Sequence, residues 1–203
     1  GYAVYRKGSG GSWTTIATTT GTSYTDTAVL TNGKTYYYTV RAYVGDLSTA
    51  QSHKYKSDYW SYYDTTGVKS VYLDNPALTG TTTAGKGIKV SWEKVKGATG
   101  YAVYRKTAST NWTMIATTTG ASYTDKSGMK NGSEYYYTVR AYAGKLATAK
   151  SKKYDAGYWS GYDSSGVQGR FVTAPHISEE KASATGRTIT WEKVKGASGY
   201  AIY

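Results

Sequence analysis

Few residues could carry acid–base or metal chemistry: the chain has two histidines, thirteen acidic residues and no cysteine. The lack of cysteine excludes disulfides and thiolate metal ligands. His176 directly follows Pro175 and reads as a linker residue. No Ser/His/Asp set, metal-ligand cluster or phosphate-binding loop can be assembled. The expectation is a protein that is not an enzyme and uses no cofactor or metal. Aromatic side chains are the other chemistry on offer. Tyr59, Trp60, Tyr62 and Tyr63 stand together before Asp64, and Tyr158, Trp159 and Tyr162 stand before Asp163. Exposed rings beside a carboxylate can stack on and hydrogen-bond a sugar. Alternatively, the same rings close the end of a β-structure or pack on a neighbouring domain, which explains why they survive where their surroundings change.

A long period organises these positions. Tyr36-Tyr37-Tyr38-Thr39-Val40-Arg41-Ala42-Tyr43 returns verbatim at 135–142, 99 residues later. Residues 1–7 return at 100–106, and Gly199-Tyr200-Ala201-Ile202-Tyr203 begins a third copy. Trp13 answers Trp112, Ser23-Tyr24-Thr25-Asp26 answers 122–125, and the Trp92-Glu93-Lys94-Val95-Lys96-Gly97 run answers 191–196. The two histidines are not one period apart, so no repeating site uses them. Self-similarity at a fixed spacing is the mark of a tandem array, and the chain reads as a piece cut from one.

The elements are strands. The Tyr-rich run is β-branched and aromatic, follows an Asn-Gly pair (Asn32-Gly33, Asn131-Gly132) and is closed by Gly45 or Gly144. Alternation puts Tyr36, Tyr38 and Val40 on a core face and Tyr37, Arg41 and Tyr43 on the outer one. In the next copy the core face is Tyr135, Tyr137, Val139 and Ala141. Ile88, Val90 and Trp92 alternate in the same way, so Trp92 and Trp191 are assigned to the core rather than to a ligand platform. Pro76 and Pro175, the only prolines, suit junctions between repeats. The frame they set makes 76–174 a complete domain, 1–75 a domain lacking its first two strands, and 175–203 the opening strands of a third. Within 76–174, seven short strands are expected at about 77–79, 87–92, 101–105, 112–117, 122–124, 135–142 and 167–172. Residues 145–166 form a long aromatic connection between the last two.

A Trp closing the second strand, a Gly-Tyr-x-Val third strand and Met129-x-Asn-Gly-x-x-Tyr135-x-Tyr-x-Val139 resemble a fibronectin type III domain. Longer phrases, such as Trp-Glu-Lys-Val-Lys-Gly-Ala-x-Gly-Tyr, resemble such repeats in large extracellular proteins of Gram-positive, clostridia-like bacteria. The resemblance implies an all-β fold of tandem seven-stranded Greek-key sandwiches, immunoglobulin-like in layout. It also implies a tyrosine-corner role for Tyr36 and Tyr135. Asn131 departs from the family's usual proline, and the 145–166 connection is longer than expected.

The formal charge is +12. The lysines are spread through both copies, the densest group being Lys150, Lys152 and Lys153, so a solvated basic surface is expected rather than nucleic-acid binding. No apolar run approaches the roughly 18 residues of a membrane span. The expected role is a structural stalk, spacer or filament segment outside the cell or on its surface. Its expected partners are neighbouring repeats or further copies, which can assemble end to end by strand complementation. The alternative is an adhesin-type module that binds polysaccharide or anionic cell-wall polymer through the aromatic loop and basic surface.

Overall fold

The structure, a computed structural model, describes residues 1–84, 87–152 and 157–203; Lys153 lies outside the described residues. The chain is mostly β, in four antiparallel sheets. It groups into two compact units: 1–74 with 95–99 and 142–161, and 75–94 with 100–141 and 162–203.

In the second unit, β5 (Leu78–Ala84), β6 (Gly87–Trp92) and β9 (Ser122–Asp125) form one sheet in the order β5-β6-β9. The strands β7 (Gly100–Lys106), β8 (Thr113–Thr118), β10 (Glu134–Tyr142) and β11 (Val167–Arg170) form another, in the order β11-β10-β7-β8. Period-2 alternation sends Ile88, Val90 and Trp92 from one sheet and Tyr101, Val103, Tyr137 and Val139 from the other into a common core, all at most 3% exposed. The sheets approach so closely at Gly169 that a Cβ there would come 2.8 Å from Ile88 Cγ2. β5 is longer than the expected 77–79, because pairing with β6 carries it to Ala84. β11 ends before the expected residue 172.

A carboxylate enters this core together with its partners. The Asp125 carboxylate, whose side chain is 2% exposed, accepts from Arg105 at 2.7 Å and from the Tyr137 hydroxyl at 2.9 Å. A buried carboxylate held in this way avoids the cost of an unpaired charge. Burial, followed by the Asp125 charge, pushes the Tyr137 phenol well above its ordinary range. Tyr135 sends its hydroxyl back to the chain, accepting from the Lys130 N–H at 2.8 Å, and Tyr36 does the same with the Thr31 N–H at 3.0 Å.

In the first unit, β1 (Tyr2–Gly8), β2 (Thr14–Thr19), β3 (Thr35–Ala42) and β4 (Val68–Val71) pair in the order β2-β1-β3-β4, which repeats β8-β7-β10-β11 one period earlier. Even the register shift recurs, between Val4 and Tyr5 in β1 and between Val103 and Tyr104 in β7. What differs is the second layer. Val40, expected on the core face, is instead 47% exposed where Val139 is 1% exposed, and residues 23–26 form no strand where 122–125 do. A strand needs a ladder partner, and β9 has β6. The chain ends with a two-stranded hairpin, β12 (Ile177–Ser183) with β13 (Gly186–Trp191), whose residues are almost all exposed.

The long aromatic connections, for which the sequence suggested no regular element, each contain a short helix: α1 (Leu47–Ser52) and α2 (Leu146–Ser151). Asp46 caps α1, its Oδ1 accepting from the Thr49 N–H at 2.8 Å. Lys145 gives α2 no side-chain cap.

Candidate functional site

Both aromatic connections are built around a tryptophan. Trp60 is 4% exposed, and its indole N–H donates to Ala50 O at 2.7 Å. Trp159 is 2% exposed and donates to Ala149 O at 2.7 Å. Each acceptor alanine, on α1 or α2, is fully buried. Bridges from Trp60 to Tyr43 and from Trp159 to Tyr142 tie the connections to the ends of β3 and β10. Helices of six residues have little stability alone, so it is the indole that holds them. These two tryptophans are therefore clamps whose faces are covered, not open stacking platforms.

The other rings divide sharply. Tyr59 and Tyr158 are half-buried, and Tyr59 stacks on His53 with centroids 3.8 Å apart. Tyr62 is 93% exposed, and Gly161 takes its place one period later. Tyr63 and Tyr162 lie at the surface beside an arginine of the Tyr-rich strand: Arg41 Cζ is 5.2 Å from the Tyr63 ring, and Arg140 Cζ is 5.5 Å from the Tyr162 ring. Arg41 also stands 4.6 Å over Tyr55 and 5.5 Å over Trp60, and its Nε–H donates to Ser61 O at 2.9 Å. Tyr5, Trp13, Arg41, Tyr55 and Tyr63 line a depression of about 190 Å³. Burial, then the hydrogen bond with Tyr55, pushes the Tyr5 phenol up to about 12, so it remains a neutral donor throughout the physiological range. This is a small, cationic, aromatic-walled surface. It has no pair of carboxylates and no nucleophile–base couple, and among the described residues no three His, Cys, Asp or Glu side chains converge on a metal position. Guanidinium and ring faces of this kind can hold a ring or an anion.

Sequence reasoning took Tyr59, Trp60, Tyr62 and Tyr63 as one group and did not separate the buried Trp60 from the exposed Tyr62 and Tyr63. It also did not bring in Arg41, Tyr55 or Tyr5. A usable signal was present, because Tyr5, Trp13, Arg41 and Tyr63 recur as Tyr104, Trp112, Arg140 and Tyr162. Trp92 and Tyr101 pack at 5.3 Å within the core, and Trp191 and Tyr200 repeat the contact at 5.3 Å.

A larger concavity lies on the other face of the first unit. It measures about 720 Å³, and its lining includes Tyr2, Val4, Tyr24, Leu30, Tyr38 and Val40. At its floor Asp26 accepts from Arg6 at 2.7 Å and from the Tyr38 hydroxyl at 2.9 Å, the counterpart of Asp125 with Arg105 and Tyr137. Burial raises the Asp26 pKa, but the hydrogen bonds from Arg6, the Ala28 N–H and Tyr38 outweigh it and hold the carboxyl below its ordinary value.

Within each compact unit two glycine turns meet. At Gly33 (φ +79) a Cβ would fall 3.0 Å from Lys96 O, and at Gly97 (φ +82) one would fall 2.6 Å from Gly33 Cα. One period on, a Cβ at Gly132 (φ +78) would fall 2.8 Å from Lys195 O, and one at Gly196 (φ +83) would fall 2.8 Å from Gly132 Cα. The asparagines before these glycines brace the turns: Asn32 Oδ1 accepts from the Asp74 N–H at 3.1 Å, and Asn131 Oδ1 accepts from the Thr173 N–H at 3.0 Å. A proline at Asn131 could not accept that bond.

No protein-family model and no curated protein matches the chain. No helix among the described residues is long and apolar enough to cross a membrane.

Proposed function

We propose that the chain is a non-enzymatic segment of a tandem array of fibronectin type III-like Greek-key sandwiches, serving as a stalk, spacer or filament on a bacterial surface or outside the cell. The observation that carries this reading is the turn contact made twice at a spacing of 99 residues, Gly33 on Gly97 and Gly132 on Gly196. Each joins the Asn-Gly turn of one copy to the Lys-Gly turn of the next. A repeat protein derives its mechanics from such nearest-neighbour interfaces. The paired layers of the second unit and the Tyr135 hydroxyl bond support the sandwich. Hydrogen exchange on the whole chain tests the reading. In a stalk the backbone amides of 94–99 and 193–198 exchange as slowly as those of the neighbouring strands. Exchange at the rate of free loops would mean that the copies swing independently, and the stalk reading would fail.

A second reading is favoured by Arg41 with its exposed neighbours Tyr55 and Tyr63, and by the exposed Tyr62 next to Tyr63 in the chain: an adhesin-type module for polysaccharide or anionic cell-wall polymer. A glycan array comparing the wild type with the Tyr62→Ala/Tyr63→Ala double variant tests it, because these rings can be removed without opening the core. Equal binding by both proteins, or none by either, excludes it.

A further inference from the structure

The arginines of this chain differ in what they are given to face. Arg6, Arg105, Arg170 and Arg187 each pair with a carboxylate, of Asp26, Asp125, Glu134 and Glu180 in turn. Arg41 faces rings instead. Its Cζ lies 4.6 Å from the centroid of Tyr55, 5.2 Å from that of Tyr63 and 5.5 Å from that of Trp60. Its Nε–H donates to Ser61 O at 2.9 Å, and among the described residues neither Nη group has a hydrogen-bond partner. A guanidinium is all donor and no acceptor, so most of its donors are left to a ligand.

The surroundings suit an anion. Tyr5, Trp13, Arg41, Tyr55 and Tyr63 line the depression of about 190 Å³, and no acid is among them. Asp64, beside Tyr63 in the chain, is occupied by its own turn, accepting from the Thr66 N–H at 2.8 Å. Lys7 brings a second cation, its Nζ standing 4.4 Å over Trp13. Tyr55 meets Arg41 from a left-handed backbone, φ +64, directly after Lys54 at φ +39; among the described residues these are the positive-φ positions not held by glycine. Strain of this kind persists where the surroundings enforce it, and ligand clamps are one such place. The arrangement also recurs. Arg140 Cζ lies 5.5 Å from the Tyr162 ring and Lys106 Nζ 4.6 Å over Trp112, although the hairpin residues 8–12 and 107–111 differ completely. Tyr154, the sequence counterpart of Tyr55, lies outside the described residues.

We propose that Arg41 and the rings around it bind an acidic sugar, a pyranose unit of a polysaccharide that carries its carboxylate on the ring, as a uronate does. This rests on the adhesin reading and narrows it to one ligand chemistry. The carboxylate takes the Nη donors side by side, a planar fit that a guanidinium offers and an ammonium does not. The C–H face of the sugar lies against the aromatic wall of Trp13 and Tyr63. The volume favours a single unit, since about 190 Å³ is below the ~300 Å³ at which sites for drug-sized ligands begin. In a uronate the charge and the ring belong to the same unit, so both contacts are made inside this volume. In a phosphodiester-linked polymer the charge lies between units, and ring and anion do not enter together.

Calorimetric titration of the full chain tests the proposal with an oligogalacturonate, its methyl ester and a poly(glycerol phosphate) of similar length. The ester keeps every ring and removes only the charge. Oligogalacturonate is expected to bind more tightly than either of the others by about tenfold or more, the worth of a hydrogen-bonded charge. Arg41→Gln/Arg140→Gln is expected to lose the same factor. If circular dichroism shows that this variant has lost its fold, Arg41→Lys/Arg140→Lys replaces it; the charge stays, the planar fork goes, and affinity for the acid is expected to fall. Equal affinity for the acid and its ester, or a preference for the poly(glycerol phosphate), overturns the proposal and leaves the adhesin reading standing. A preference for the acid that survives the arginine variants also overturns it, because the dispersed lysines then hold the anion. Binding to none of the probes, with none on the glycan array, ends both.

Discussion

Gly97 lies against Gly33 so tightly that a Cβ on the first would come within 2.6 Å of the Cα of the second. Both glycines have positive φ, so this point of contact combines a backbone conformation and a packing distance that only glycine satisfies together. Gly45 and Gly144 share the backbone requirement, at φ +75 and +78, but nothing lies within 4 Å of their virtual Cβ. The two pairs separate conformational strain from loss of the interface. Gly45→Ala is expected to cost about 1–2 kcal/mol, the penalty for a left-handed residue. Gly97→Ala is expected to cost more, and to speed hydrogen exchange at 31–34 and 95–98 as the turns part. Urea melts combined with exchange on both variants check this; equal costs and unchanged exchange would remove the interface.

Asp125 is the polar keystone of the second unit. Asp125→Ala strands the Arg105 guanidinium and the Tyr137 hydroxyl, and breaking one side of a buried ion pair is costly. The expected loss is about 3 kcal/mol, at the lower end because the Arg105 side chain is still 22% exposed. Asp26→Ala, on the open face, is expected to cost less. Denaturant titration of the two variants gives the comparison.

Trp60 and Trp159 behave as core and Tyr62 as surface. Truncating either tryptophan to alanine is expected to cost about 3–5 kcal/mol and to release its helix. Tyr62→Ala should stay within about 0.5 kcal/mol of wild type. Thermal melts, with proteolysis at the connections, distinguish these outcomes.

Alkali should unfold the first unit through its tyrosines. Burial, then the Tyr55 hydroxyl, pushes Tyr5 up to about 12, and burial, then Asp26, pushes Tyr38 up to about 12, both from an ordinary 10.0. Each phenol binds its proton more tightly folded than unfolded. The stability this contributes is complete below pH 10 and is lost as pH rises through about 12. Tyrosinate absorbance followed with circular dichroism should show an early class of surface phenols and a late class that ionises together with loss of β-structure. A single transition centred near 10 with the fold intact would refute it.

Much of this was legible locally. Strand positions and the inward faces follow from period-2 alternation bounded by Asn-Gly and Gly turns, a signal carried within some ten residues. The backbone bond of the Tyr135 hydroxyl was anticipated only through the family resemblance, which implies a tyrosine corner there. The helices α1 and α2 were not legible: six residues cannot display an amphipathic period, and what stabilises them is an indole N–H ten residues further on. The aromatic group was found as a group, but burial is not a property of ring type. Trp60 is buried where its indole N–H meets the Ala50 carbonyl, and Tyr62, outside any strand, stays exposed.

The amino-acid sequence by itself determined the 99-residue period, the β character of the elements, the alternation of each strand and the scarcity of groups for acid–base or metal chemistry. All of these are local or repetitive properties, readable without knowing which segments meet. Tertiary structure alone decided that Gly33 touches Gly97 and that Arg41 gathers Tyr55 and Tyr63. Those facts depend on contacts between residues far apart in the chain, and their energies come from approach distances that no local pattern encodes.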